Sequence, residues 1–192
     1  MVIRMPVIQR HLNRGATMIE VLVTLVIIAF GLLGMAGLQL RLQVSEMESY
    51  QRSQALLLLN DMASRISTNR GNAASYVTTA ANPLGAGMTT CPTTTSTVAQ
   101  QDAGEWCNAL LGAGELSGTS KVGALLGGRG CVESVGGDYL ITVAWQGLTP
   151  ISAPPSSVAC GANSYNGATG ATCSNDLCRR AVTTVVRIAS LL

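Results

Sequence analysis

Residues 15 to 20 read Gly-Ala-Thr-Met-Ile-Glu, and from Val21 to Leu38 no charge follows. Glu20 is the residue whose chemistry stands out. A carboxylate inside a bilayer-spanning segment costs several kcal/mol and needs a partner. Cleavage after Gly15 would supply one, because the new ammonium at Ala16 could neutralise it. Two rival processing schemes give Glu20 no task. A conventional signal peptide would be cut after the apolar run, where Gly34-Met35-Ala36 offers small residues, and a plain signal anchor would not be cut at all.

The element that must position this pair is the apolar run itself. Arg4, Arg10 and Arg14 precede it and Arg41 is the first charge after it, which predicts a cytoplasmic N-terminus with the remainder outside. Ala16 to Leu38 is long enough to cross a bilayer as a helix. Gly31, Gly34 and Gly37 recur every third residue and suit either close helix packing or local unwinding.

Arg14-Gly15-Ala16-Thr17-Met18-Ile19-Glu20 resembles the start of a type IV prepilin: basic leader, glycine before the cut, glutamate fifth in the mature chain. Ala16 departs from the phenylalanine usual at the first mature position. The resemblance implies a prepilin peptidase that cuts after Gly15 and N-methylates Ala16. It implies also that Glu20 pairs with the Ala16 ammonium of a neighbouring subunit during assembly. Two ions a few ångströms apart in a water-poor setting attract strongly, provided the geometry is good.

Six cysteines, Cys91, Cys107, Cys131, Cys160, Cys173 and Cys178, all follow the apolar run. None forms a CxxC pair and the single histidine, His11, lies in the leader, so zinc is the weaker reading. Disulfides in an oxidising compartment are the stronger one. Local closure favours Cys91–Cys107 and Cys173–Cys178, while the sequence leaves all pairings formally open.

Charged residues make up 11% of the 192, apolar ones 47% and aromatics 4%, which predicts one domain with a thin core and an appended segment. The formal charge is +2; without residues 1–15, nine basic face ten acidic side chains. Attraction to nucleic acid is not indicated.

Helical spacing continues past the apolar run through Val44, Met47, Ala55, Leu59, Met62 and Ile66, with a stop at Asn69-Arg70-Gly71-Asn72. A helix from Ala16 to Ser67 is expected, its second half bearing one apolar stripe. A short helix is expected from Asp102, as N-cap, to Leu111, with Trp106 and Leu110 inward. Cys131–Val135 and Asp138–Gln146 read as a hairpin around Gly136-Gly137, with Tyr139, Ile141, Val143 and Trp145 on one preferred face. Ala181–Ala189 reads as a further strand, and Pro150–Cys178 as a long stapled loop. The expected fold class is α+β, and the prepilin resemblance implies the type IV pilin fold: a long N-terminal helix on a small antiparallel sheet. The expected divisions are leader 1–15, membrane or filament-core half-helix 16–40, amphipathic half-helix 41–70 and globular head 71–192.

The strand from Tyr139 to Gly147, ending Trp-Gln-Gly, and the entry Leu177-Cys178-Arg179-Arg180 resemble minor pilins of the PilV type. That resemblance implies as partners other minor pilins, the major pilin, a tip adhesin, the peptidase and the inner-membrane assembly platform, with membrane lipid before assembly. It also implies adhesion and twitching motility. No enzyme is indicated: His11 leaves with the leader, and Asp61, Asp102, Glu105 and Glu115 show no motif spacing and read as solvated surface. Leu126-Gly127-Gly128-Arg129-Gly130 lacks the lysine of a phosphate loop and reads as a flexible turn. No cofactor is expected. The rival functions are a type II secretion pseudopilin and an uncleaved membrane-anchored binding module.

Overall fold

The computed structural model describes residues 17–113, 116–118, 120–121 and 125–188. The leader, Gly15, Ala16, Glu115 and the expected strand end at Ala189 lie outside them. The chain divides into two compact units, up to Gln43 and from Val44 onward.

Helix α1 spans Met18–Thr68. Its residues to Gln43 are exposed throughout, including Leu22, Ile27, Phe30 and Leu33. By length and composition this is a helix able to cross a membrane. Within the second unit, one stripe of α1 is buried: Gln51, Ala55, Leu59, Met62 and Ile66. Val44 and Met47, expected on that stripe, are instead exposed at 37% and 50%. Burial starts one to two turns later than the periodicity suggests, because the head first meets the helix near Glu48.

A 3-10 helix, Arg70–Tyr76, follows α1 directly. Strand β1 is Leu84–Gly85, helix α2 is Val98–Leu110, and β2 (Leu116–Ser117) pairs with β3 (Ser120–Lys121). Strands β4 (Arg129–Val135), β5 (Asp138–Gln146) and β6 (Arg179–Val186) complete a four-stranded antiparallel sheet in the order β1-β4-β5-β6. Hairpin β4–β5 turns at Gly136 and Gly137, both at positive φ.

The cap of helix α2 falls five residues before the expected one. Thr97 is the cap, its Oγ1 accepting from the Gln100 N–H, and this frees Asp102 for another task inside the helix. Trp106 and Leu110 are fully buried. The Trp106 Nε1–H donates to the Leu58 carbonyl at 2.9 Å, tying α2 to α1.

Strand β5 does not have the single buried face its alternation suggests. Ile141, Val143 and Trp145 face the helical core, yet Thr142 and Ala144 on the other face are also fully buried. The cover there is the 147–178 loop. Cys131–Cys160 staples it to β4, and Gly161 stands so close that a Cβ would lie 3.2 Å from the Ala144 Cβ. The chain thus has a thin apolar layer on one side of its sheet and a covalently held polar layer on the other.

The Leu126–Gly130 stretch does turn, at Leu126–Gly127, and its later glycines are also close-packed. A Cβ on Gly130 would fall 2.2 Å from the Trp106 ring, and one on Gly128 would fall 2.6 Å from the Leu110 carbonyl. Glycine lets β4 pass under the indole.

Candidate functional site

At the start of α1, the Glu20 N–H donates to Thr17 Oγ1 at 3.3 Å, and the Val21 N–H donates to the Thr17 carbonyl. Thr17 is therefore a helix cap, a role the sequence reading did not give it, although threonine three residues before glutamate is the pattern of a capping box. Glu20 lies in the exposed first turn. A carboxylate there is favoured by the partial positive charge of the helix N-terminus. Its proposed partner, the Ala16 amine, is outside the described residues, as is Gly15.

Residues 10–36 match the family model of the prokaryotic N-terminal methylation motif. The N-terminus is type IV prepilin-like. That match supports processing by a prepilin peptidase and a pilin-like, structural protein anchored through its apolar helix. Neither the comparison with curated proteins nor that with solved structures returned a match.

Away from the prepilin-like end, the head holds two polar clusters that sequence spacing did not announce. In the first, Arg65 gathers three carboxylates. Its Nε contacts Asp61 at 3.0 Å, and its Nη1 donates to Asp102 at 2.6 Å and to Glu105 at 2.7 Å. Asp61, Asp102 and Glu105 are thus structural partners and not independent solvated charges. Tyr76 O–H donates to Asp102 and accepts from Asn69 Nδ2. Burial opposes the Arg65 charge, but hydrogen bonds to Glu105, Asp102 and Asp61 outweigh it and hold the guanidinium charged. Burial, then the bond to Asp102, pushes the Tyr76 hydroxyl above its usual value. Bonds from Arg65 and Gln101 hold Glu105 below the usual carboxylate range. The cluster locks the end of α1 against α2 and the 3-10 helix.

The second cluster surrounds Arg179 and Glu48. Arg179 is buried, and its Nη1 donates to the carbonyls of Val158 and Cys160 at 2.6 and 3.1 Å. Asp176 Oδ2 lies 3.1 Å from its Nε. Arg179 and the Cys131–Cys160 bridge thus hold the outer loop at two adjacent points. Glu48 accepts from the Leu148 and Thr149 N–H groups and from Arg180 at 3.2 Å, linking α1 to the chain just after β5.

The six cysteines form three disulfides: Cys91–Cys107, Cys131–Cys160 and Cys173–Cys178. Cys91–Cys107 fastens the hydroxyl-rich segment to α2. Cys173–Cys178 closes the last turn before β6, where Asn175 and Asp176 adopt positive φ. Among the described residues, no group of three or more His, Cys, Asp or Glu is placed to hold a metal.

Proposed function

We propose that this chain is a minor pilin of a type IV pilus. Prepilin peptidase cuts after Gly15 and methylates Ala16, and the subunit then enters the filament or its priming tip complex. The ordered set Gly15-Ala16-Thr17-Met18-Ile19-Glu20 within the matched segment carries this reading. Before assembly, residues 16–40 sit in the inner membrane, residues 41–70 continue the helix and 71–192 form a periplasmic head. Assembly moves the subunit to a surface pilus, where siblings, the major pilin, a tip adhesin and the assembly platform are its partners. Support for adhesion and twitching follows from that placement.

Glu20 provides the docking force. Its carboxylate meets the Ala16 ammonium of the adjacent subunit, and the pairing sets register where water is scarce. Glu20→Ala should leave the precursor processed yet reduce its recovery in sheared filaments by tenfold or so, the effect of losing about 1.4 kcal/mol. Normal incorporation of that variant would defeat the assignment. Lost protein export with intact pili in a deletion strain would instead favour the secretion pseudopilin.

A further inference from the structure

The two edges of the main sheet are treated differently. On the β4 side, β1 pairs with Gly130 and Arg129, the Thr78 N–H donates to the Val132 carbonyl and Thr78 Oγ1 accepts from the Val132 N–H. That edge is covered. On the β6 side the strand Arg179–Val186 is the last of the sheet.

Which groups of β6 face outward follows from the ladder. The Gly147 N–H donates to the Cys178 carbonyl at 2.7 Å, so the 147/178 pair is a hydrogen-bonded one. Antiparallel pairs alternate between bonded and non-bonded, and the register runs without interruption to Tyr139↔Val186. The N–H and C=O of Ala181, Thr183 and Val185 therefore point away from β5. Among the described residues none donates to them or accepts from them. The usual protections of an edge are missing here as well: between Ala181 and Val186 there is no proline, no charge and no bulge, only Val-Thr-Thr-Val-Val after the alanine.

At the start of this edge lies a groove of about 480 Å³, lined by Ser45, Glu48 and Arg52 of α1, Ile151 and Pro154 of the loop, and Arg179–Val182 of β6. Glu48 is already held by Leu148, Thr149 and Arg180. Arg52 is exposed and has no partner among the described residues. The groove thus offers apolar groups at Ile151, Pro154 and Val182, and in Arg52 a cation that is not already paired as Arg179 and Arg180 are.

We infer that β6 is a docking edge for an extended strand of a different polypeptide, one that adds to the sheet and presents a carboxylate to Arg52. Main-chain hydrogen bonds to Ala181, Thr183 and Val185 supply the register, and alternate apolar side chains enter the groove. A second copy of β6 fits poorly, since residues 179–187 hold no carboxylate and self-pairing would leave Arg52 unanswered. This goes beyond the assembly reading and stands without it.

The test uses the full chain in detergent micelles, with amide exchange read residue by residue. The probe is a soluble decapeptide of alternating valine and serine with one central glutamate. At saturation the Ala181, Thr183 and Val185 amides should slow by about tenfold or more, while Val182 and Thr184, already bonded to β5, change little. Replacing the peptide's glutamate by glutamine, or Arg52→Glu in the chain, should weaken binding about fivefold, as a partly exposed ion pair allows. Thr183→Pro removes an outward donor only and should abolish binding. No added protection at those three amides on the unmodified chain would overturn the proposal, whether or not Thr183→Pro folds. Protection that grows with protein concentration alone would also overturn it, by showing that a second copy takes the edge.

Discussion

Between Met18 and Gln43 every side chain is exposed and only Glu20 and Arg41 carry charge. From Val44 onward an apolar core, three disulfides and two polar clusters share the work of holding the chain. The first region carries its function in the order of neighbouring residues. The second carries its structure in pairs far apart in sequence, such as Arg65 with Asp102 or Glu48 with Arg180. Damage to the head should therefore change stability and leave the proposed cut after Gly15 alone, and damage at Glu20 should spare both stability and that cut while lowering incorporation into filaments.

The largest loss is expected for Trp106→Ala, which empties the space over Gly130 and removes the bond to Leu58: about 3–5 kcal/mol by urea unfolding of the full chain. Processing should be unchanged if that chain survives in the envelope. Replacing Cys131 and Cys160 by alanine opens a loop of 29 residues, worth about 3.5 kcal/mol by chain entropy. Opening Cys173–Cys178, a separation of 5, should cost about 2. Equal losses for the two bridges would mean that loop length is not what matters here.

Arg65→Ala leaves three carboxylates facing one another and should cost about 1–2 kcal/mol, the low figure reflecting partial exposure of the network. Two pH effects belong to this cluster. Glu105 has a lowered pKa, so its contribution is present above the usual value of 4.5 and fades as pH falls through the folded value. Tyr76 has a raised pKa, so its contribution is present below 10.0 and fades as pH rises through the folded value. The stability gap between Arg65→Ala and the unaltered chain should narrow as pH falls through the Glu105 titration, because the bond from Arg65 is what holds that carboxyl low. The smallest expected change is Thr97→Ala, about 1 kcal/mol for the lost cap on α2.

The same contrast explains what the sequence could disclose. Hydropathy and period fixed α1, the β4–β5 hairpin and β6 closely, because each is written in adjacent residues. Spacing alone favours Asp102 as the cap of α2, because Thr97 lies in a hydroxyl run where any of several residues could begin a helix. The two-sided burial of β5 was hidden because its cover, the 147–178 loop, is polar and depends on Cys131 meeting Cys160. Arg65 gave no local sign of gathering Asp102 and Glu105 from α2. Thr17 could have been found from its spacing to Glu20 alone. Val44 and Met47 continue a helical pattern that the head does not use.

N-terminal sequencing and mass analysis of the protein drawn from its native envelope test the central claim most directly. The expected product is a chain that begins at Ala16, with a methylated amine, and still contains the apolar helix. A chain that keeps Met1 and the arginine-bearing leader, or one that begins after Ala36, would contradict it.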